Sequence, residues 1–175
     1  MRQKHIHIAL ALVAVLFVPL LTGAQDVTES ALKAAFIYNV AKFTNWPEET
    51  PSSKVFTMCV LGDAAVGEAL ERTVKGRLLL GKEIRVTRLN SKGSVRECRL
   101  LYLSGVTKEQ IAQVVASVRG TPVLTIGDLA GFKELGGIVG FFFEDGQLRF
   151  TIGLESARKC GLLISAKLMT LAREK

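Results

Sequence analysis

Two Gly–Asp pairs, Gly62-Asp63 and Gly127-Asp128, each close an apolar run of the chain. Carboxylates at the carboxyl ends of strands stand where open α/β sheets keep their ligand crevice. Paired there, they could hold a cation or act as acid and base. The plainer alternative is that each Asp caps the element that follows it. Lys133-Glu134 leads into Gly136-Gly137, a pair that marks either a tight turn or a close approach of backbone to a neighbour or ligand. Arg149 and Thr151 alternate with apolar residues, and a guanidinium fork suits a carboxylate or phosphate. Asp128, Gly136, Gly137 and Arg149 are therefore the candidates for a site holding a small anionic ligand. Gly62 to Gly67 superficially suggests a phosphate loop, but no Lys-Ser or Lys-Thr follows it. A plain strand-to-helix turn accounts for it.

Absence is as informative as presence. The only histidines are His5 and His7, and both fall in a segment that reads as an export leader. Arg2 and Lys4 make its positive start, Ile8 to Leu21 its apolar stretch, and Thr22-Gly23-Ala24 its small-residue cleavage site. The apolar stretch is shorter than the roughly 20 residues a membrane span needs. A chain processed near Ala24 carries no histidine, which excludes Ser–His and Cys–His nucleophiles and His-ligated metals. Neither an enzyme nor a cofactor is expected. Of 23 basic residues, the two in the leader are lost; 21 remain against 16 acidic ones, a charge of +5. In an exported protein that points to an acidic partner surface, anionic head groups or an anionic ligand rather than nucleic acid, but the basic residues are scattered and a generic solvated surface accounts for them better.

Three cysteines remain, in a compartment that permits disulfides. Cys59 lies in a strand-like run and Cys98 just before another, so these two are expected to pair; Cys160 is left as a small buried hydrophobe.

The elements that must position these residues follow from periodicity. Ala31 to Trp46 reads as a helix with Leu32, Phe36, Val40 and Phe43 on one stripe, stopped by Pro47. Strands are expected over 55–61, 84–89, 100–103, 122–128, 138–143 and 148–154. Helices are expected over 64–74 and from a Thr107 cap to about Val118. Asp145-Gly146 predicts a tight hairpin, with Arg149 and Thr151 on its outward face. The C-terminus reads as helical, with Ala157, Ile164, Leu168 and Leu171 on one face and a possible break at Gly161. Together these predict a leader over 1–24 and a single α/β domain over 25–175: a twisted, mostly parallel sheet with helices on both faces and one antiparallel C-terminal hairpin.

The run Ala34-Ala-Phe-Ile-Tyr-Asn-Val-Ala-Lys-Phe-Thr-Asn-Trp-Pro47 resembles the signature of the YfiR-like family of exported bacterial proteins. The likeness continues through Pro122 to Asp128, Phe132, Gly136 to Ile138, Leu148 to Leu154 and Gly161 to Leu168. It implies a dimeric periplasmic regulator rather than an enzyme. Such a protein binds the periplasmic sensor domain of an inner-membrane diguanylate cyclase and represses it, lowering cyclic-di-GMP and biofilm formation. An outer-membrane lipoprotein can draw the repressor away. The Cys59–Cys98 spacing agrees with one family bridge; a second bridge has no cysteines here, and Cys160 stands where a small residue is expected. The candidate partner surface is Asn39, Lys42 and Trp46 with Arg149 and Thr151. The other reading, a small-anion binder feeding a sensor kinase, uses the Asp128 set.

Overall fold

The computed structural model describes residues 28–47, 54–90 and 94–174. The expected leader and the polar stretch at 48–53 lie outside them. The first element, α1 (Glu29–Lys42), is capped by the Thr28 hydroxyl, which accepts from the Ala31 amide. It ends at Phe43, before the expected Trp46. The reason is tertiary. Thr44 and Asn45 form a short strand, β1, antiparallel to β9 (Leu163–Ile164). The Ser165 amide completes the ribbon by donating to the Phe43 carbonyl.

The remaining elements are β2 (Val55–Gly62), α2 (Ala64–Val74), β3 (Leu78–Leu79), β4 (Lys82–Leu89), β5 (Leu100–Ser104), α3 (Lys108–Ser117), β6 (Leu124–Gly127), β7 (Val139–Glu144), β8 (Gln147–Ile152), α4 (Leu154–Lys159) and α5 (Ala166–Met169). Among the described residues, seven strands make one sheet in the order β3-β4-β2-β5-β6-β7-β8. The central pairs run parallel, and β3 and β8 are antiparallel edges. This is the α/β architecture expected, with an additional two-stranded ribbon that periodicity did not show.

Local chemistry explains each boundary. Asp63 caps α2 through the Val66 amide at 3.0 Å, and Thr107 with Gln110 forms a capping box on α3. Asp145 and Gly146 both have positive φ, as a type I′ hairpin requires. The C-terminus departs from expectation. After α4, Gly161 takes a left-handed φ of +69. Its amide reaches Arg158, and the Leu162 amide reaches Ala157. That double bond pattern is a Schellman stop. It turns one expected helix into α4, β9 and α5, and leaves Ile164 in a strand and Leu171 exposed.

Alternation along the strands splits the core. One cluster gathers Ile37 and Tyr38 of α1, Leu70 of α2, and Phe56, Met58, Tyr102, Ile126, Phe141 and Phe150 of the sheet. The other gathers Cys59, Leu101, Leu103, Ile111, Val115 and Phe132 under α3. The expected disulfide is present on the α3 side: Cys59 and Cys98 are bonded, with Cα atoms 5.7 Å apart, and Cys160 is free.

Closing a 39-residue separation is worth about 4 kcal/mol in the chain-entropy account. Cys59→Ser should therefore lower the melting temperature by about 10 °C in calorimetry. Cys160→Ser, at a half-buried helix end, should leave it nearly unchanged.

Candidate functional site

Asp128 sits one residue beyond β6, at the carboxyl edge of the parallel strands. It caps nothing. Its Oδ2 accepts from Lys33 Nζ at 2.6 Å, Tyr102 Oη at 2.9 Å and Ser104 Oγ at 2.8 Å. Alternation on β5 puts Tyr102 and Ser104 on the α1 face, and Lys33 descends from α1 to meet them. Lys33 also pairs with Glu29 one helical turn earlier, at 2.7 Å. Its side chain is 9% exposed and that of Asp128 19%.

A lysine so placed must keep a partner, since an unpaired buried charge is costly. Burial works against its charge, but hydrogen bonds to Asp128 and Glu29 outweigh that and hold its pKa above the ordinary 10.5. Lys33 is thus a fixed cation, not a general base. Tyr102 is driven far above the usual phenol range by burial and by the Asp128 charge, so it remains a neutral donor. The cluster ties α1 to the sheet and offers no nucleophile. Sequence reasoning found Asp128 and missed its three donors. The available signal was Lys33 beside Ala34 and Ile37 on the buried side of a helix; Ser104 gave none.

The other residues of the suggested anion site do not join Asp128. The ring of Phe132 fills the space beside two glycines. A Cβ on Gly127 would stand 2.5 Å from it, and one on Gly137 2.2 Å. Gly137 is therefore glycine because a neighbouring ring lies against its backbone. Gly136 has φ +92, with an Arg119 nitrogen 3.6 Å from where its Cβ would be. Arg149 lies opposite Phe142 on β8, on the sheet face away from Asp128. With Asp128 and Arg149 on opposite faces of the sheet, the four do not meet in one site.

The suggested partner surface is also divided. Asn39 and Lys42 are exposed on α1. Trp46 is half-buried, edge-on to Phe56 with centroids 5.0 Å apart. Thr151, expected to face outward, is only 8% exposed, because the outward face of β8 is itself covered and its hydroxyl lies against Gly140. Arg149 is half-buried, and its Nε and Trp46 Nε1 are buried without a hydrogen-bond partner among the described residues. What extends the α1 surface instead is the β3–β4 hairpin. Arg77 and Lys42 flank the Tyr38 ring, 5.1 and 5.6 Å from its centroid. Beyond Arg77, Leu78 and Leu80 are 60% and 56% exposed. Leu80 has φ +53 in the turn with Gly81, a left-handed position that suits Asn or Gly better than leucine.

Among the described residues no three His, Cys, Asp or Glu side chains converge as metal ligands, and no helix is long and apolar enough to cross a membrane. The chain belongs to the YfiR/HmsC-like family, whose pattern matches residues 30–173. No curated protein matches it. The family match bears out the resemblance read from the α1 signature, and it spans the fold from α1 to beyond α5.

Asp128→Asn should cost about 3 kcal/mol or somewhat less, by leaving the buried Lys33 with only the exposed Glu29 as a charged partner, measured as a shift in denaturant midpoint. Adding Lys33→Met should recover much of that loss. The sign with pH is set by the raised lysine pKa. The stability difference between the unmodified protein and Lys33→Met should be complete below about pH 10 and shrink as pH climbs past that pKa.

Proposed function

We propose that this protein is an exported, periplasmic regulator that binds the sensor domain of an inner-membrane signalling enzyme, a diguanylate cyclase, and holds it inactive. The observation that carries this reading is the family match over residues 30–173. Its leader, homodimeric state and displacement by an outer-membrane lipoprotein belong to the same reading. The protein does no chemistry on this account. Its polar residues support the account: one oxygen of the carboxylate at the sheet edge is engaged by three donors, and the lysine beside it is a fixed cation.

Repression needs only differential affinity. Binding one conformation of the sensor a few kcal/mol more tightly than the other shifts its population. The contact surface we assign is the exposed side of α1, Asn39 and Lys42, continued by Arg77, Leu78 and Leu80. Protruding leucines inside a basic rim fit an apolar spot on an acidic partner. Trp46 contributes its exposed edge. Thr151 is left out because it is buried.

Deleting the gene should raise cellular cyclic-di-GMP. The exported protein should reverse the rise, and a leaderless version should not. A Leu78→Ser, Leu80→Ser variant should fold with an unchanged melting temperature yet fail to reverse it. Unchanged cyclic-di-GMP in the deletion strain would sink the reading.

A further inference from the structure

On the α3 side of the sheet, at the amino-terminal edge of its parallel strands, lies a cleft of about 680 Å³. That volume is within the usual range for small-molecule sites. Register explains its lining. Arg85 on β4 is the direct partner of Thr57 on β2. On the other side of Thr57 comes Arg99, whose amide donates to the Thr57 carbonyl at 2.9 Å. The Arg99 carbonyl in turn accepts from Leu124 at 2.9 Å, which puts Val123 next in the row. Adjacent strands are about 4.8 Å apart, so two guanidinium-bearing residues flank one hydroxyl at a spacing of about 10 Å. Alternation sends all of them to the same face as Cys59.

A third arginine, Arg96, lines the cleft from the segment leading into β5, and Glu97 is the single acid among the described residues of its lining. Neither Arg85 nor Arg96 forms an ion pair among the described residues. By contrast Arg88, three residues along β4, is held by Glu68 and Glu71. The cleft wall is apolar at Val118 and Val123. The Cys59–Cys98 bond anchors the segment between Arg96 and Arg99 to β2, so the cationic groups are held to a rigid frame.

We propose that this cleft binds a small amphiphilic anion, with a phosphate or carboxylate head on Arg85, Arg96 and the Thr57 hydroxyl and an apolar body against Val118 and Val123. Guanidinium forks match oxyanions in geometry as well as charge. The site lies on the opposite sheet face from Asp128, and it does not depend on the repressor reading.

The test uses phenyl phosphate and phenol as probes, titrated into ¹⁵N-labelled protein. Phenyl phosphate should give saturable shifts at the amides of Thr57, Arg99 and Val123, and phenol should bind at least about tenfold more weakly. An Arg85→Ser, Arg96→Ser variant should keep its melting temperature and lose at least about tenfold in phenyl phosphate affinity. An Arg88→Ser variant should bind as the unmodified protein does. Equal binding of the two probes, shifts centred elsewhere, undiminished affinity in the double variant, or no shift at millimolar phenyl phosphate would each overturn the proposal.

Discussion

The ionised pair between Lys33 and Asp128 fixes how the first helix meets the sheet. A buried ammonium has few acceptable positions, and here one carboxylate oxygen serves it together with a phenol and a hydroxyl. That contact sets the rotation of α1. With Lys33 pointing at the sheet edge, Phe36 stands edge-on to Phe141 and Phe150. Ile37, Tyr38 and Ala41 go into the core, and Asn39 and Lys42 are left to solvent. The outward surface of the helix is thus a consequence of an inward electrostatic requirement. Such pairs add little net stability over a well-packed apolar substitute, and their better-attested use is to specify one arrangement among several.

The two faces of the sheet are held by different means. The α1 side relies on aromatic and aliphatic packing with one polar cluster at its rim. The α3 side relies on a covalent link at one end and on Phe132 at the other, its ring laid across the backbones of Gly127 and Gly137. The two glycines have a Cβ-free surface for this reason, and the Asp128 cluster on the opposite face makes no use of it.

Much of this was legible in the residues. The six longer strands of the main sheet, α2 with its Asp63 cap, α3 with its Thr107 cap, the Asp-Gly hairpin and the cysteine pairing all follow from local rules that the tertiary structure does not oppose; the two-residue strands β1, β3 and β9 do not. The misses share a cause. The expected helix through Trp46 gave way because Thr44 and Asn45 found a distant partner strand, and the C-terminal helix broke where Gly161 could reverse the chain. Alternation places Thr151 on an outward face, but a period of two cannot say whether that second face is also covered. Asp128 was legible as a residue of interest, but its partners come from positions 95, 26 and 24 residues away. No spacing rule joins such distances. The row of Arg85, Thr57 and Arg99 is of the same kind, visible only once strand register is known.

The sheet is finite at both ends. At one, β3 pairs the first residues of β4, and Arg85 and Arg88 are exposed farther along β4. At the other, the chain past α5 returns so that the Arg173 amide donates to the Phe150 carbonyl, with the Arg173 side chain 3.7 Å from Glu144. Unpaired strand edges are templates for sheet extension by another chain, and short strands, charges and covering segments are the usual defences. Each edge is thus covered over part of its length and charged along the rest, so a second molecule that approached to continue the ladder would meet arginine side chains on one edge and the returning chain on the other. Growth of a cross-β array is disfavoured at both, while contacts made through side chains, which can be reversed, stay open.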